Sequence, residues 1–349
     1  MDKKWLYSQL PDALLPWYDA HHRELPWRED KDPYHIWVSE IMLQQTRVEA
    51  VKGYYARFLQ VLPDVKSLAE CEDDLLHKLW EGLGYYNRVR NMKKAALQIM
   101  TDHNGRFPTD HAQVLALPGI GAYTAGAICS IAFNQPTPAV DGNVLRVISR
   151  ITDDATPIDL PTYKNTVQQN LAEIYPERAG DFTQALMDLG ATVCLPNGEP
   201  LCADCPARAF CAACAQNRQK ELPVRISKTR RRTEEKTVFL LLKNGEAALR
   251  QRPNTGLLAG LWEYPHAEGT LDEATAAAQL SQWGVTPLRW VKRLQFHHIF
   301  THIRWEMTGY VVEVAGGGCT DWLWCSEEER ARRAVPSAFE VLTRELPQG

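Results

Sequence analysis

An all-α domain followed by a smaller α+β domain is the fold class this sequence predicts, on three observations. From Pro11 to about Ala215 apolar residues recur at intervals of three and four, with few strand signals. After a basic stretch, the pattern changes to short β-rich runs punctuated by turn residues. The chain also has 349 residues, 45% of them hydrophobic, which is enough for two cores rather than one.

The boundaries that follow are a helical domain over residues 1–216, a basic linker over 217–236 and a second domain over 237–349. In the first domain, Asp32-Pro33 and Ser67 to Glu70 read as helix starts. The linker carries Arg218, Lys220, Arg225, Lys228, Arg230, Arg231, Arg232 and Lys236 against Glu221, Glu234 and Glu235. Charge that local fits a segment lying on phosphates and fits a solvated tether equally well. In the second domain, Thr237 to Lys243 and Glu246 to Arg252 flank Asn244-Gly245, a hairpin turn. Further strands are expected over Trp290 to Gln295, Ile299 to Val314 and Trp322 to Trp324, and a helix over Leu271 to Trp283.

Composition narrows the function classes. A net charge of −4 is not that of a protein held to DNA by bulk electrostatics. The start MDKKWLYSQL lacks an apolar signal core, and no stretch approaches the roughly 20 apolar residues of a membrane span, so a soluble cytoplasmic protein is expected. Five of the nine cysteines fall between Cys194 and Cys214, a clustering that points to metal rather than to disulfides.

Four motifs carry chemistry. Leu117-Pro118-Gly119-Ile120-Gly121 lies between two helical stretches, and Gly119 and Gly121 let the backbone turn with its amides outward, an anion site at a helix start. Asp141, in Val140-Asp141-Gly142-Asn143, is placed as a helix cap; a capping carboxylate at the mouth of a cleft is also the anion that a developing sugar cation needs. Glu40 shares a helix face with Ile36, Trp37 and Leu43, a setting that should raise its pKa and suit it to donate a proton. The competing reading is a Glu40 turned to the rim and paired with an arginine. The cysteines run Cys194-x7-Cys202-x2-Cys205-x5-Cys211, with Cys214 close behind. Spacing alone allows an iron–sulfur cluster or a zinc site built on Cys202/Cys205 and Cys211/Cys214.

The order and spacing of these motifs resemble the endonuclease III superfamily of helix-hairpin-helix DNA glycosylases. Within it, LPWR (Leu25 to Arg28), SEIMLQQTRV (Ser39 to Val48), GLGYYNRVRN (Gly82 to Asn91), LPGIGAYTAGAI (Leu117 to Ile128) and AVDGNVLRV (Ala139 to Val147) are similar to the MutY family of adenine DNA glycosylases. The resemblance implies a helix-hairpin-helix glycosylase domain with an iron–sulfur cluster loop, followed by a nudix-like 8-oxoguanine recognition domain. It implies that Glu40 is the general acid, that Asp141 stabilises the oxocarbenium ion, and that a [4Fe-4S] cluster is held by Cys194, Cys202, Cys205 and Cys211. The family's first cysteine interval is usually six residues and here it is seven, which bears on whether Cys211 or Cys214 is the fourth ligand.

The resemblance also assigns Arg28, Tyr123 and Asn143 to the adenine site, and Gln45 and Tyr85, with Thr46 and Leu83 beside them, to the surroundings of 8-oxoguanine. Tyr123 stands where lyase relatives place a lysine, and a phenol cannot form a Schiff base, so a monofunctional glycosylase is expected. In the C-terminal domain, Arg252 to Pro265 resembles the nudix-like reader, and Phe300-Thr301-His302 matches its loop approaching the damaged base. Aligned on Gly284-Val285, Ala278, Ser281 and Gln282 replace the metal-binding acids of nudix hydrolases. The expected activity is hydrolysis of the N-glycosidic bond of adenine opposite 8-oxoguanine or guanine, on double-stranded DNA, by a monomer without membrane association, in base excision repair.

Overall fold

Several helices of the first 215 residues begin where a short polar side chain takes their unpaired backbone amides. In a computed structural model that describes residues 2–226 and 231–347, Asp32 caps its helix by accepting from Tyr34 N at 2.8 Å. The start expected at Ser67 lies three residues earlier: Asp64 accepts from Ser67 N at 2.7 Å and Ser67 Oγ accepts from Asp64 N at 3.1 Å. Reciprocal bonding of this kind satisfies two orphan amides at once and explains why the helix starts from Asp64.

The chain divides into one unit of Met1–Glu70 with Asn91–Ser227 and another of Cys71–Arg90 with Lys228–Gly349. The helices up to the second unit's sheet are α1 (Lys3–Ser8), α2 (Leu10–His21), α3 (Pro33–Leu43), α4 (Val48–Val61), α5 (Val65–Glu70), α6 (Asp73–Leu79), α7 (Asn87–Asp102), α8 (His111–Leu115), α9 (Ala122–Phe133), α10 (Gly142–Ile151), α11 (Pro161–Ala172), α12 (Ala179–Asp188) and α13 (Ala212–Ala215). Of these, α6 lies in the second unit, and α7 begins there and continues in the first. A core in the first unit joins Leu10, Leu14, Val144, Ile148 and Phe182, with Cys194, Cys205 and Cys211 packed against it. No helix among the described residues is long and apolar enough to cross a membrane.

The basic stretch is divided by the structure. Arg218 pairs with Asp153 at 2.7 Å, Lys220 with Glu199 at 3.2 Å and Arg225 with Asp159 at 3.7 Å, within the first unit. Residues 227–230, with Lys228 and Arg230, lie outside the described residues. Arg232 and Lys236 fall in a strand that starts five residues before the expected Thr237, because Lys236 is buried against Glu268 at 2.6 Å and the neighbouring Glu234 accepts from Trp305 Nε1 at 2.9 Å.

The second unit contains β1 (Arg232–Lys243), β2 (Glu246–Gln251), β3 (Trp262–Glu263), β4 (His266–Glu268), α14 (Glu273–Gln282), β5 (Pro287–Ile299), β6 (Ile303–Val314), β7 (Trp322–Cys325), α15 (Glu327–Ala331) and α16 (Glu340–Thr343). The main sheet order is β3-β2-β1-β6-β5, with β4 on β1 and β7 on β2. Because β1 and β6 run parallel while the other pairs are antiparallel, the sheet is mixed. The hairpin between β1 and β2 turns at Asn244 and Gly245, with φ of 50° and 83°, as a primed turn requires. Ala276 and Leu280 of α14 seal one face of the sheet, and Phe339 and Leu342 the other. Where the sequence suggested one strand from Ile299 to Val314, the strand begins at Ile303 and residues 300–302 form the turn after β5. Phe300 N closes that turn on Ile303 O at 2.8 Å, so Thr301 sits at its tip rather than in a strand.

Candidate active site and cysteine cradle

Helix α3 is buried on nearly every side, from Tyr34 and Ile36 to Met42, and it carries Glu40 inward. The side chain is 5% exposed, its Oε2 has no hydrogen-bond partner among the described residues and the Tyr123 phenol donates to the carboxyl. Burial pushes its pKa up to about 7; the Tyr123 hydrogen bond opposes the shift, the Asp141 charge adds to it and Arg28 opposes it. The sequence expectation of a raised pKa is met, and Glu40 does not sit at the rim.

Asp141 caps α10. One carboxylate oxygen accepts from Asn143 N at 2.9 Å and Val144 N at 2.8 Å, and the other from Asn143 Nδ2 at 2.8 Å. Three donors fix its orientation before any substrate arrives. Glu40, Tyr123, Asp141 and Asn143 line one cleft of about 250 Å³, together with Arg28 and Thr46. An adjoining cleft of about 570 Å³ shares Glu40, Tyr123, Asp141 and Asn143 and adds Gln45.

Three residues that hold this cleft were not legible in the sequence. Asp188, fully buried at the end of α12, takes both terminal nitrogens of Arg28 at 2.8 and 2.9 Å and Arg23 Nε at 2.8 Å. Although burial works against its charge, Arg28 and Arg23 hold its carboxyl below the usual range. Arg28 therefore lines the cleft with its fork committed to Asp188. Arg146 gives Nη1 to Asn143 Oδ1 at 3.0 Å, Nη2 to Gly190 O at 2.8 Å and Nε to Cys194 O at 3.0 Å. The available signal was an acid or a base at an inward position of an apolar helix, in ALMDLG and NVLRVI.

Gly119 has φ +78°, and a Cβ there would lie 2.6 Å from Asn91 Cβ. Gly121 then opens the twelve-residue α9, whose first amides receive no side-chain cap among the described residues, and free amides at a helix start favour an anion.

Three further candidate residues lie in the second unit. Leu83 is buried, whereas Tyr85 is 50% exposed, and its hydroxyl meets Thr301 Oγ1 at 2.8 Å.

Cys194, Cys202, Cys205 and Cys211 line one cavity, and Arg150 Nη1 lies 3.2 Å from Cys194 Sγ. Cys214 lies beside Cys202. Among the described residues no three His, Cys, Asp or Glu side chains close on a single metal ion. A tetrahedral zinc with 2.3 Å bonds needs sulfurs roughly 3.8 Å apart. A cluster that binds each thiolate at a different iron needs them wider, and four cysteines around a cavity whose other walls include Val147, Ile151, Leu189 and Val193 fit such a group.

This fold, with an acid and a capping carboxylate in one cleft beside a hairpin anion site, defines a class that the comparisons identify. Residues 38–175 match the HhH-GPD superfamily of base excision DNA repair proteins and residues 237–345 the NUDIX domain, so the chain is a DNA N-glycosylase with a nudix-like C-terminal domain. It is 34% identical over 413 residues to the adenine DNA glycosylase of Rattus norvegicus, covering 97% of this chain and 79% of the relative. With the Homo sapiens adenine DNA glycosylase it shares 33% over 401 residues, covering 95% and 73%. A thermostable thymine-DNA glycosylase structure superposes with a TM-score of 0.54 and 27% identity over 61% of this chain and 97% of that one. The chain belongs to the adenine DNA glycosylase family of base excision repair. Endonuclease III-like members of the superfamily typically carry a [4Fe-4S] cluster.

Proposed function

We propose that this chain hydrolyses the N-glycosidic bond of adenine lying opposite 8-oxoguanine, or opposite guanine, in duplex DNA, and that it lacks lyase activity. The observation that carries the reading is the buried Glu40, with its pKa near 7, in one cleft with Asp141. Adenine leaves poorly until a ring nitrogen is protonated, and an acid that titrates near neutrality both holds and releases a proton at working pH. As the bond stretches, positive charge develops on the sugar. Asp141, fixed by Asn143 and Val144, supplies the facing negative charge without reorganising, and water completes the product. Tyr123 donates to Glu40 and offers no amine for a Schiff base. Arg28, locked on Asp188, gives the cleft a fixed wall. The bare start of α9 after Gly119-Ile120-Gly121 suits a DNA phosphate, which positions the duplex without reading its sequence.

Cys194, Cys202, Cys205 and Cys211 would hold the [4Fe-4S] cluster, whose contribution is to cross-link the loop they share. That loop is tied to Asn143 through Arg146, so the cradle braces the residue that orients Asp141. In the second unit, Tyr85 and Thr301 are the contacts for the opposite base; Gln45 and Thr46 line the clefts of the first. 8-Oxoguanine differs from guanine in having a donor at N7 and an acceptor at O8, and a hydroxyl can answer either.

The test is incubation with labelled duplexes holding adenine opposite 8-oxoguanine, guanine or thymine, followed by alkali. Excision fastest opposite 8-oxoguanine, with strand breakage only after alkali, is expected. Absence of excision, or an efficient borohydride-trapped covalent adduct, overturns the proposal. Thr301→Ala tests the reader separately: an unchanged ratio of single-turnover rates opposite 8-oxoguanine and guanine removes Thr301 from the reading.

A further inference from the structure

The segment that carries Leu83 and Tyr85 is far in sequence from Thr301, yet residues Cys71–Arg90 fall in the unit of the nudix-like sheet. Their attachments are specific. Asp74 Oδ1 accepts from Trp262 Nε1 at 3.1 Å, and Glu81 Oε1 accepts from Val335 N at 3.0 Å. At the end of the segment Arg90 Nη1 donates to Asn254 O at 3.2 Å.

Between these anchors the turn that presents Tyr85 is held tightly. Gly82, Gly84 and Tyr85 take φ of 98°, 67° and 48°, a left-handed run that costs a tyrosine free energy and persists only where neighbours enforce it. They do so here: Trp80 Nε1 donates to Gly84 O at 3.1 Å and Arg88 Nη2 to Leu83 O at 2.9 Å. The product of that effort is an exposed phenol 2.8 Å from the Thr301 hydroxyl.

We infer that α6 and the turn after it are half of the opposite-base reader, and that Asp74 and Glu81 are positioning residues which set its specificity by fixing the Tyr85 phenol on Thr301. The inference rests on the proposed reading of 8-oxoguanine by Thr301. A free hydroxyl rotates to suit the N7–H of 8-oxoguanine or the bare N7 of guanine, and so tells them apart poorly. When Thr301 gives its proton to the Tyr85 oxygen, it faces outward only as an acceptor, which suits N7–H and opposes bare N7. Holding the phenol in place turns an indifferent hydroxyl into a selective one.

The experiment compares full-length variants by the ratio of single-turnover rates on adenine opposite 8-oxoguanine and opposite guanine. Asp74→Ala and Glu81→Ala should each lower the ratio ~2- to 10-fold, the range one lost hydrogen bond produces. Asp74→Asn and Glu81→Gln keep an acceptor oxygen and should restore it. Trp262→Phe, which removes only the donor facing Asp74, should repeat the Asp74→Ala result and serves if either alanine variant fails to fold. Added to Thr301→Ala, the anchor substitutions should lower the ratio no further. Parent-like ratios in the anchor variants, or full additivity with Thr301→Ala, overturn the inference while the reader stands. An unchanged ratio in Thr301→Ala overturns the reader, and the inference with it.

Discussion

Replacing Tyr123 by phenylalanine isolates the one hydrogen bond that opposes the burial of Glu40. The ring stays, so packing is preserved, but the carboxyl loses the Tyr123 donor while Oε2 already has none among the described residues. The bond favours the ionised carboxyl, so its loss raises the Glu40 pKa above the parent value of about 7. A hydrogen bond to a charged group is worth about 1.5–3 kcal/mol, and one pKa unit corresponds to about 1.4 kcal/mol, so the shift is roughly one to two pH units. The assay is the single-turnover rate between pH 5 and 9, each protein normalised to its own acid plateau. If Glu40 delivers the proton, the rate falls as pH rises through its pKa. The parent should retain roughly a tenth of its plateau at pH 8 and the variant roughly half or more. Stability follows the same sign. Glu40 is raised above its ordinary 4.5, so its contribution is complete below about pH 4.5 and is lost as pH rises through about 7. In Tyr123→Phe that loss is larger and extends to higher pH, which thermal melts would register. A limb that stays in place or moves to lower pH, or a loss of rate independent of pH, refutes Glu40 as the titrating acid.

Three other outcomes are expected. Asp188→Ala leaves Arg23 and Arg28 without their buried partner and should cost about 3–5 kcal/mol of stability by denaturant unfolding, whereas Asp181→Ala, at an exposed pair with Arg178, should cost under about 1 kcal/mol. Gly119→Ala forces a Cβ to within 2.6 Å of Asn91 Cβ at a positive φ; it should weaken duplex binding about equally opposite 8-oxoguanine and guanine, and a loss confined to one duplex would show that the turn reads bases. The purified protein should be yellow-brown with about four irons; Cys211→Ser should lose the colour and Cys214→Ser keep it, and the reverse would assign the fourth ligand to Cys214.

Local chemistry made much of this protein readable from its sequence. Asp32 and Asp141 were recognisable as caps because capping needs only a short polar side chain at a helix start. Gly119 was recognisable because its φ admits little else, and Asn244-Gly245 because a primed turn demands both residues. The raised pKa of Glu40 followed from the apolar residues on its own helix face, and the change from helical to strand texture located the second fold. What the sequence could not determine was which distant charges would meet. Asp188 with Arg23 and Arg28, and Arg146 with Gly190 and Cys194, are separated by tens to over a hundred residues, and no local periodicity records such a pairing. The parallel pairing of β1 with β6 is of the same kind, since it depends on a crossover rather than on a turn. So is the placement of Cys71–Arg90 with the C-terminal sheet. Its helical pattern matches that of its sequence neighbours, and hydrogen bonds such as those to Trp262, Val335, Asn254 and Thr301 decide where it belongs, because those partners exist only once both segments have folded.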